Sequence, residues 1–232
     1  MKKIMIVPIL LFLMVSCHDT EVDPPQRVVH EWNFPNDAMG WEGDFADYPV
    51  GREEFMELEF DYEPLPAPLD TTSGAIKLSG TNTSDDLFMF MKRRITGLQP
   101  GTVYNALFTV EFASNVPDDR VGIGGPPGES VWIKAGATDT EPEKEVDDMD
   151  YYRMNIDKGG QSQGGDDMIV LGDFSNDTDQ QVYTLKTVTN DEQSFSVMPD
   201  DAGELWLIVG TDSGFEGNTT IYYNSIKVEL FY

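Results

Sequence analysis

Tyr104-Asn105-Ala106-Leu107-Phe108-Thr109-Val110-Glu111-Phe112 sends Tyr104, Ala106, Phe108, Val110 and Phe112 to one side and Asn105, Thr109 and Glu111 to the other. Successive side chains leave a β-strand on opposite faces, so a period of two reads as a half-buried strand. Tyr222, Asn224, Ile226, Val228 and Leu230 repeat the pattern opposite Ser225, Lys227 and Glu229, and Tyr152, Met154 and Ile156 give a third case. Leu87-Phe88-Met89-Phe90-Met91 and Leu205-Trp206-Leu207-Ile208-Val209 are continuous apolar runs, which predict strands covered on both faces. Further strands are predicted over residues 28–34, 75–79, 131–135, 168–171 and 182–188, punctuated by Gly, Pro, Asn and Asp clusters. No stretch of a dozen residues carries a helical stripe.

About ten strands joined by long polar loops predict an all-β fold, a two-sheet antiparallel β-sandwich of the jelly-roll kind. The alternative is two tandem immunoglobulin-like domains divided at residues 139–148, an acidic stretch that could serve as a linker. Each half would then have too few strands, so this stretch is expected to be a surface loop of one domain.

The N-terminus carries an address. Met1-Lys2-Lys3 is basic, Ile4 to Val15 is almost wholly apolar, and Ser16-Cys17 closes the run with a small residue and the chain's single thiol. That order is a secretory signal, and it is too short to span a bilayer, which needs roughly 20 apolar residues. Leu13-Met14-Val15-Ser16-Cys17 resembles the bacterial lipobox, with Met14 where Leu is usual; the resemblance implies acylation of Cys17 and cleavage before it. The expected organisation is a signal peptide over 1–16, a polar acidic tether over 17–26 and one domain over 27–232. The tether also resembles the export signals of surface lipoproteins in the Bacteroidetes, which implies display on the outer face of the outer membrane, with the periplasmic face as the alternative. Contact with membrane is expected only through Cys17.

The formal net charge is −27, from 42 acidic and 15 basic residues. Nucleic-acid binding depends on Lys and Arg that neutralise phosphates, so this balance argues against a nucleic-acid partner. With 40 % apolar and 11 % aromatic residues, the chain can still bury a core.

Two further resemblances bear on the fold. Ile95-Thr96-Gly97-Leu98-Gln99-Pro100-Gly101-Thr102-Val103-Tyr104 resembles the turn before an alternating strand in extracellular β-sandwiches, fibronectin type III domains included, with Leu98 and Tyr104 as core plugs. The ending Ile221-Tyr222-Tyr223-Asn224-Ser225-Ile226-Lys227-Val228 and the opening Trp32-Asn33-Phe34 with Gly40-Trp41 resemble carbohydrate-binding, galactose-binding-like modules. In that family the last strand often supplies an Asp to a structural calcium, and Asn224 stands in its place here. The segments Asp44-Phe45-Ala46-Asp47-Tyr48-Pro49, Ser84-Asp85-Asp86-Leu87-Phe88-Met89 and Gly210-Thr211-Asp212-Ser213-Gly214-Phe215-Glu216 are similar to those of uncharacterised bacterial secreted proteins, which implies no activity.

Chemistry is thinly marked. His18 and His30 are the only histidines, too few and poorly placed for a Ser-His-Asp triad or a His-based metal site. Gly159-Gly160-Gln161-Ser162-Gln163-Gly164-Gly165 lacks the Lys-Ser/Thr ending of a phosphate cradle and reads as a flexible loop. Calcium is the expected cofactor, since oxygen ligands are abundant. Asp85, Asp86, Asp212 and Glu216, at strand edges, are the candidate ligands; capping of turns by Asp85 and Asp212 is the metal-free alternative.

Trp41, Phe45 and Tyr48 fall in a Gly- and Asp-rich segment that reads as a loop. A cluster of Trp41, Tyr48 and Asp47 could stack a sugar ring and bond its hydroxyls, while Trp41 could instead plug the sandwich. Trp132 and Trp206 lie in strands and read as core. The expected function is non-catalytic glycan or surface-polysaccharide binding, with no catalytic residues assigned. The alternatives are a glycoside hydrolase or lyase using paired carboxylates, and a structural assembly lipoprotein.

Overall fold

The computed structural model describes residues 26–232. Cys17, the signal segment 1–16 and the tether up to residue 25 lie outside the described residues.

The strands run β1 (Arg27–Asn33), β2 (Glu42–Ala46), β3 (Tyr48–Pro49), β4 (Glu59–Pro64), β5 (Gly74–Thr81), β6 (Leu87–Ile95), β7 (Tyr104–Ser114), β8 (Val131–Thr138), β9 (Lys144–Val146), β10 (Tyr151–Met154), β11 (Met168–Asp173), β12 (Thr184–Thr189), β13 (Ser196–Val197), β14 (Leu205–Ser213) and β15 (Asn218–Phe231). A single short helix, α1 (Glu53–Met56), is found among the described residues. The first sheet has the order β12-β7-β15-β5-β4, with β1 also paired to β15 and β13 to β7; the second has the order β11-β8-β14-β6-β2. Each pairing is antiparallel, and the chain passes back and forth between the sheets, the winding of a jelly roll. A small third sheet, β3-β10-β9, lies beside them.

Between the two main sheets sits one apolar core. Phe108, Val110, Phe112, Ile226, Val228 and Leu230 reach it from the first sheet, and Met89, Met91, Ile133, Leu207 and Val209 from the second. Leu98 and Tyr104 are buried as the turn before β7 requires, and the Tyr104 hydroxyl accepts the Gln99 amide at 2.9 Å.

The structure alters three expectations. Residues 42–46, expected as loop, form the edge strand β2 against β6. Residues 139–148 are no linker or plain loop, because Lys144–Val146 pairs with β10. In β15 the register against β7 shifts between Tyr223 and Ser225. One extra residue reverses which face follows, so Ile221 and Tyr223 join the core while Tyr222 and Asn224 do not.

Candidate functional site on the outer face of the second sheet

Every second residue of β6, β8 and β14 points away from the core. The strand register therefore lays these outward residues in rows. Trp206 lies between Arg94 and Thr138; Ile208 lies between Lys92 and Gly136, with Glu42 beyond Lys92. Further along, Gly210 lies between Phe90 and Lys134, and Asp212 is paired with Phe88.

The far end of this face is roofed. Ile156 and Met168, with Met154 against them, pack over Phe88, Phe90 and Ile208 as a second apolar cluster. Gly136 permits this approach, since a Cβ there would lie 1.9 Å from the Asp167 carbonyl oxygen.

Under the roof the acidic candidates partly converge. Asp47, Asp86 and Asp212 each bring a carboxylate oxygen within 4.8 Å of the others. Cations answer them. Asp212 Oδ2 accepts from Lys134 Nζ at 2.9 Å and Lys158 Nζ at 2.7 Å, with both Asp212 and Lys134 fully buried. Arg153 donates to Asp47 Oδ1 at 3.0 Å and reaches Asp86 Oδ2 at 3.4 Å. Asp47 Oδ2 sits 2.8 Å from Lys158 Nζ without hydrogen-bond alignment, and Asp212 Oδ1 has no partner among the described residues. The three protons of Lys134 Nζ are shared between Asp212 and the carbonyls of Lys158 and Gln163, each at 3.0 Å, and of Gly160. The glycine-rich segment expected to be a flexible loop is thus tied to the sheet by one buried ammonium.

Burial raises the Asp86 carboxyl to about 7, with the charges of Asp47 and Asp212 adding to it. Burial works against the Lys158 charge, but Asp212 and Asp47 outweigh it and push that ammonium up to about 12. Burial also lowers Lys134, with Asp212 opposing.

Calcium takes six to eight oxygen ligands, and the three carboxylates of this cluster face ammonium or guanidinium groups. Of the four expected ligands only Asp86 and Asp212 meet. Asp85 is exposed and offers its backbone carbonyl to Gln161 Nε2 at 2.6 Å, and Glu216 is not among the clustered carboxylates. The cavity beside Asp86, about 240 Å³, is lined by Asp47, Asp86, Asp157, Arg153 and Lys158. Asp47 is buried against Arg153 and Lys158, and Asp212 against Lys134 and Lys158.

The expected sugar platform is also absent from its place. Trp41 is 2 % exposed and Tyr48 1 % exposed, both in the main core, and Asp47 is buried beside Arg153. Trp41 stands edge-on to Trp32 at 5.4 Å and fills the sandwich. Once residues 42–46 form a strand, Trp41 and Phe45 gain a core to enter.

The near end of the face is open. A groove of about 490 Å³ is lined by Gly40, Glu42, Lys92, Arg93, Arg94, Glu141 and Trp206. Trp206, read from sequence as core, is partly exposed here. Lys92 Nζ lies 5.3 Å and the Arg94 guanidinium 5.9 Å from its ring centre. Lys92 is held by Glu141 at 2.6 Å and Arg94 by Glu204 at 3.1 Å. Charged Lys92 and Arg94, two residues apart directly after the apolar run 87–91, were the available signal that this end of the sheet has an uncovered face.

No protein-family model matches the chain, and no curated protein matches it. Among solved structures, it is similar to the carbohydrate-binding module TmCBM27, described for specific mannan recognition, at 11 % identity, over 88 % of this chain and 98 % of that one, with a TM-score of 0.41. A putative sugar binding protein from Bacteroides thetaiotaomicron aligns at 12 % identity, over 81 % of this chain and 86 % of that one, with a TM-score of 0.39. The enzymatically active domain of bacteriophage CBA120 tailspike protein 4 aligns at 13 % identity over 84 % of this chain but only 20 % of its own length, with a TM-score of 0.38. These are likenesses of architecture alone.

Proposed function

We propose that this chain is a non-catalytic glycan-binding module whose binding face is the open groove around Trp206, displayed at the cell surface on a lipid anchor at Cys17. The observation that carries the reading is a partly exposed indole in a groove of about 490 Å³. That volume lies within the roughly 300–1,000 Å³ of ligand sites. A pyranose presents C–H groups on its faces and hydroxyls at its rim. An indole suits the first, while Lys92, Arg94, Glu42 and Glu141 supply donors and acceptors for the second. Antiparallel pairing of β2, β6 and β14 fixes Glu42, Lys92, Arg94 and Trp206 in rows on a rigid sheet, and Glu141 is held by Lys92, so little order remains to be imposed when a chain of sugars binds.

A glycan array probed with the domain tests the reading, followed by titration of Trp206→Ala against any ligand found. The variant is expected to lose binding while losing less than the roughly 3–5 kcal/mol of a buried Trp truncation. Binding indifferent to Trp206→Ala, or no binding across the array, would count against it.

Anchoring has its own test. The lipobox-like Leu13-Met14-Val15-Ser16-Cys17 supports acylation, and the acidic tether after it supports surface display. Cys17→Ala is expected to abolish palmitate labelling and release the protein from membranes. Labelling and fractionation unchanged in the variant would remove Cys17 from the account.

A further inference from the structure

Lys92-Arg93-Arg94 is a run of three bases in a chain that has only 15 against 42 acidic residues. The outer two are occupied, Lys92 by Glu141 and Arg94 by Glu204. Arg93 is not. Among the described residues its guanidinium forms no ion pair, and its buried Nε has no acceptor.

Its position is nevertheless fixed. The guanidinium lies 5.3 Å from the Trp32 ring centre, and Trp32 is itself stacked on His30 at 5.6 Å with planes 5° apart. Gly40 closes the other side: at φ +77° it has no Cβ, and one placed there would lie 2.5 Å from Arg93 Nη1. Arg93 lines both the Trp206 groove and a second groove of about 440 Å³ containing Val29 and His30. Among the described residues, no carboxylate forms an ion pair with the Arg93 guanidinium.

A partly desolvated guanidinium without an acceptor is costly, and a ligand acceptor would recover that cost. The planar fork of arginine matches a carboxylate with two parallel hydrogen bonds. We infer that the Trp206 groove recognises acidic polysaccharides, with Arg93 reading the carboxylate of a uronate unit. The inference rests on the glycan reading of this groove. The chain's overall negative charge does not prevent it, because the Debye length at physiological salt is only about 8 Å and remote carboxylates are screened; within the groove Glu141 is paired with Lys92 at 2.6 Å, and Glu42 is outnumbered by Lys92, Arg93 and Arg94. Neutral glycans would satisfy Trp206 but leave Arg93 unmatched.

Calorimetric titration of the domain with polygalacturonate, a neutral β-galactan and a sulfated galactan tests this, with Arg93→Gln and Trp206→Ala compared and urea unfolding run on each variant. Polygalacturonate is expected to bind at least about tenfold more tightly than the neutral polymer. Arg93→Gln is expected to weaken polygalacturonate by about 10- to 100-fold, the loss of one or two charge-assisted hydrogen bonds, and to weaken the neutral polymer by a clearly smaller factor. Trp206-dependent binding of neutral galactan with no preference for polygalacturonate would overturn the inference and leave the glycan reading standing. A preference for the sulfated polymer would overturn the carboxylate assignment. Polygalacturonate affinity unchanged in a folded Arg93→Gln would remove Arg93 from the site, and failure of all three polymers would overturn the uronate inference, the glycan reading being decided by the array.

Discussion

Trp41→Ala is expected to lower unfolding stability by roughly 3–5 kcal/mol, the cost of truncating a buried large aromatic. Trp41 is 2 % exposed and meets the Trp32 ring edge-on at 5.4 Å and 89°. Removing it leaves a void beside Trp32, which also carries His30 on its face and the Arg93 guanidinium over it. The close-packed interior relaxes only partly around such a void, so most of the cavity cost remains. One feature tempers the loss: Trp41 Nε1 is buried with no acceptor among the described residues, and an unmet donor costs about 1–3 kcal/mol in its own right. Trp41→Phe therefore removes that liability while keeping much of the ring, and should lose far less than Trp41→Ala. Urea unfolding of the three proteins decides the matter. A drop below about 1 kcal/mol in Trp41→Ala, the level of an exposed site, would return Trp41 to the surface and reopen it as a sugar platform.

The alternation from Tyr104 to Phe112 was legible because β7 has one inner face along its whole length and no bulge to interrupt it. The C-terminal strand was legible as a strand but not in its phase, since the register shift beside Asn224 has no signature in the order of residues alone. Trp41 and Phe45 looked like loop aromatics because β2 is short, rich in Gly and Asp, and becomes a strand only by pairing with β6. Trp206 was misread for the opposite reason. The apolar run 205–209 implied cover on both faces, yet the chain that roofs Ile208 stops short of Trp206. Pairwise convergence of Asp47, Asp86 and Asp212, from residues far apart in the chain, could not be read from local pattern at all. Neither could the two lysines that meet them, since each looks locally like any surface cation.

The buried charges give the second large effect. Asp212→Ala is expected to destabilise the protein by about 3–5 kcal/mol, because removing one partner strands the others without solvent. A single oxygen, Asp212 Oδ2, serves both Lys134 and Lys158, so the substitution uncouples two ammonium groups at once. Lys158 keeps Asp47 at 2.8 Å, and Lys134 keeps its carbonyls, which sets the loss nearer a partial than a total collapse of the network. The exposed pair Arg94–Glu204, at side-chain exposures of 55 % and 29 %, provides the internal contrast. Glu204→Ala should cost only about 0–1 kcal/mol, since water and salt replace what is lost. Lys134 also gathers the carbonyls of Lys158, Gly160 and Gln163, so its loss of charge balance should reach the covering segment before the core. Amide exchange over residues 159–165 is therefore expected to quicken in Asp212→Ala more than exchange in β7 or β15. Stability within about 1 kcal/mol of wild type, with unaltered exchange in that segment, would mean that the cluster is hydrated and that Asp212 does not hold the roof. If the roof does loosen, glycan titration of the same variant separates the two ends of the sheet: the Trp206 groove shares no lining residue with the buried cluster, and its affinity should persist while the roofed end opens.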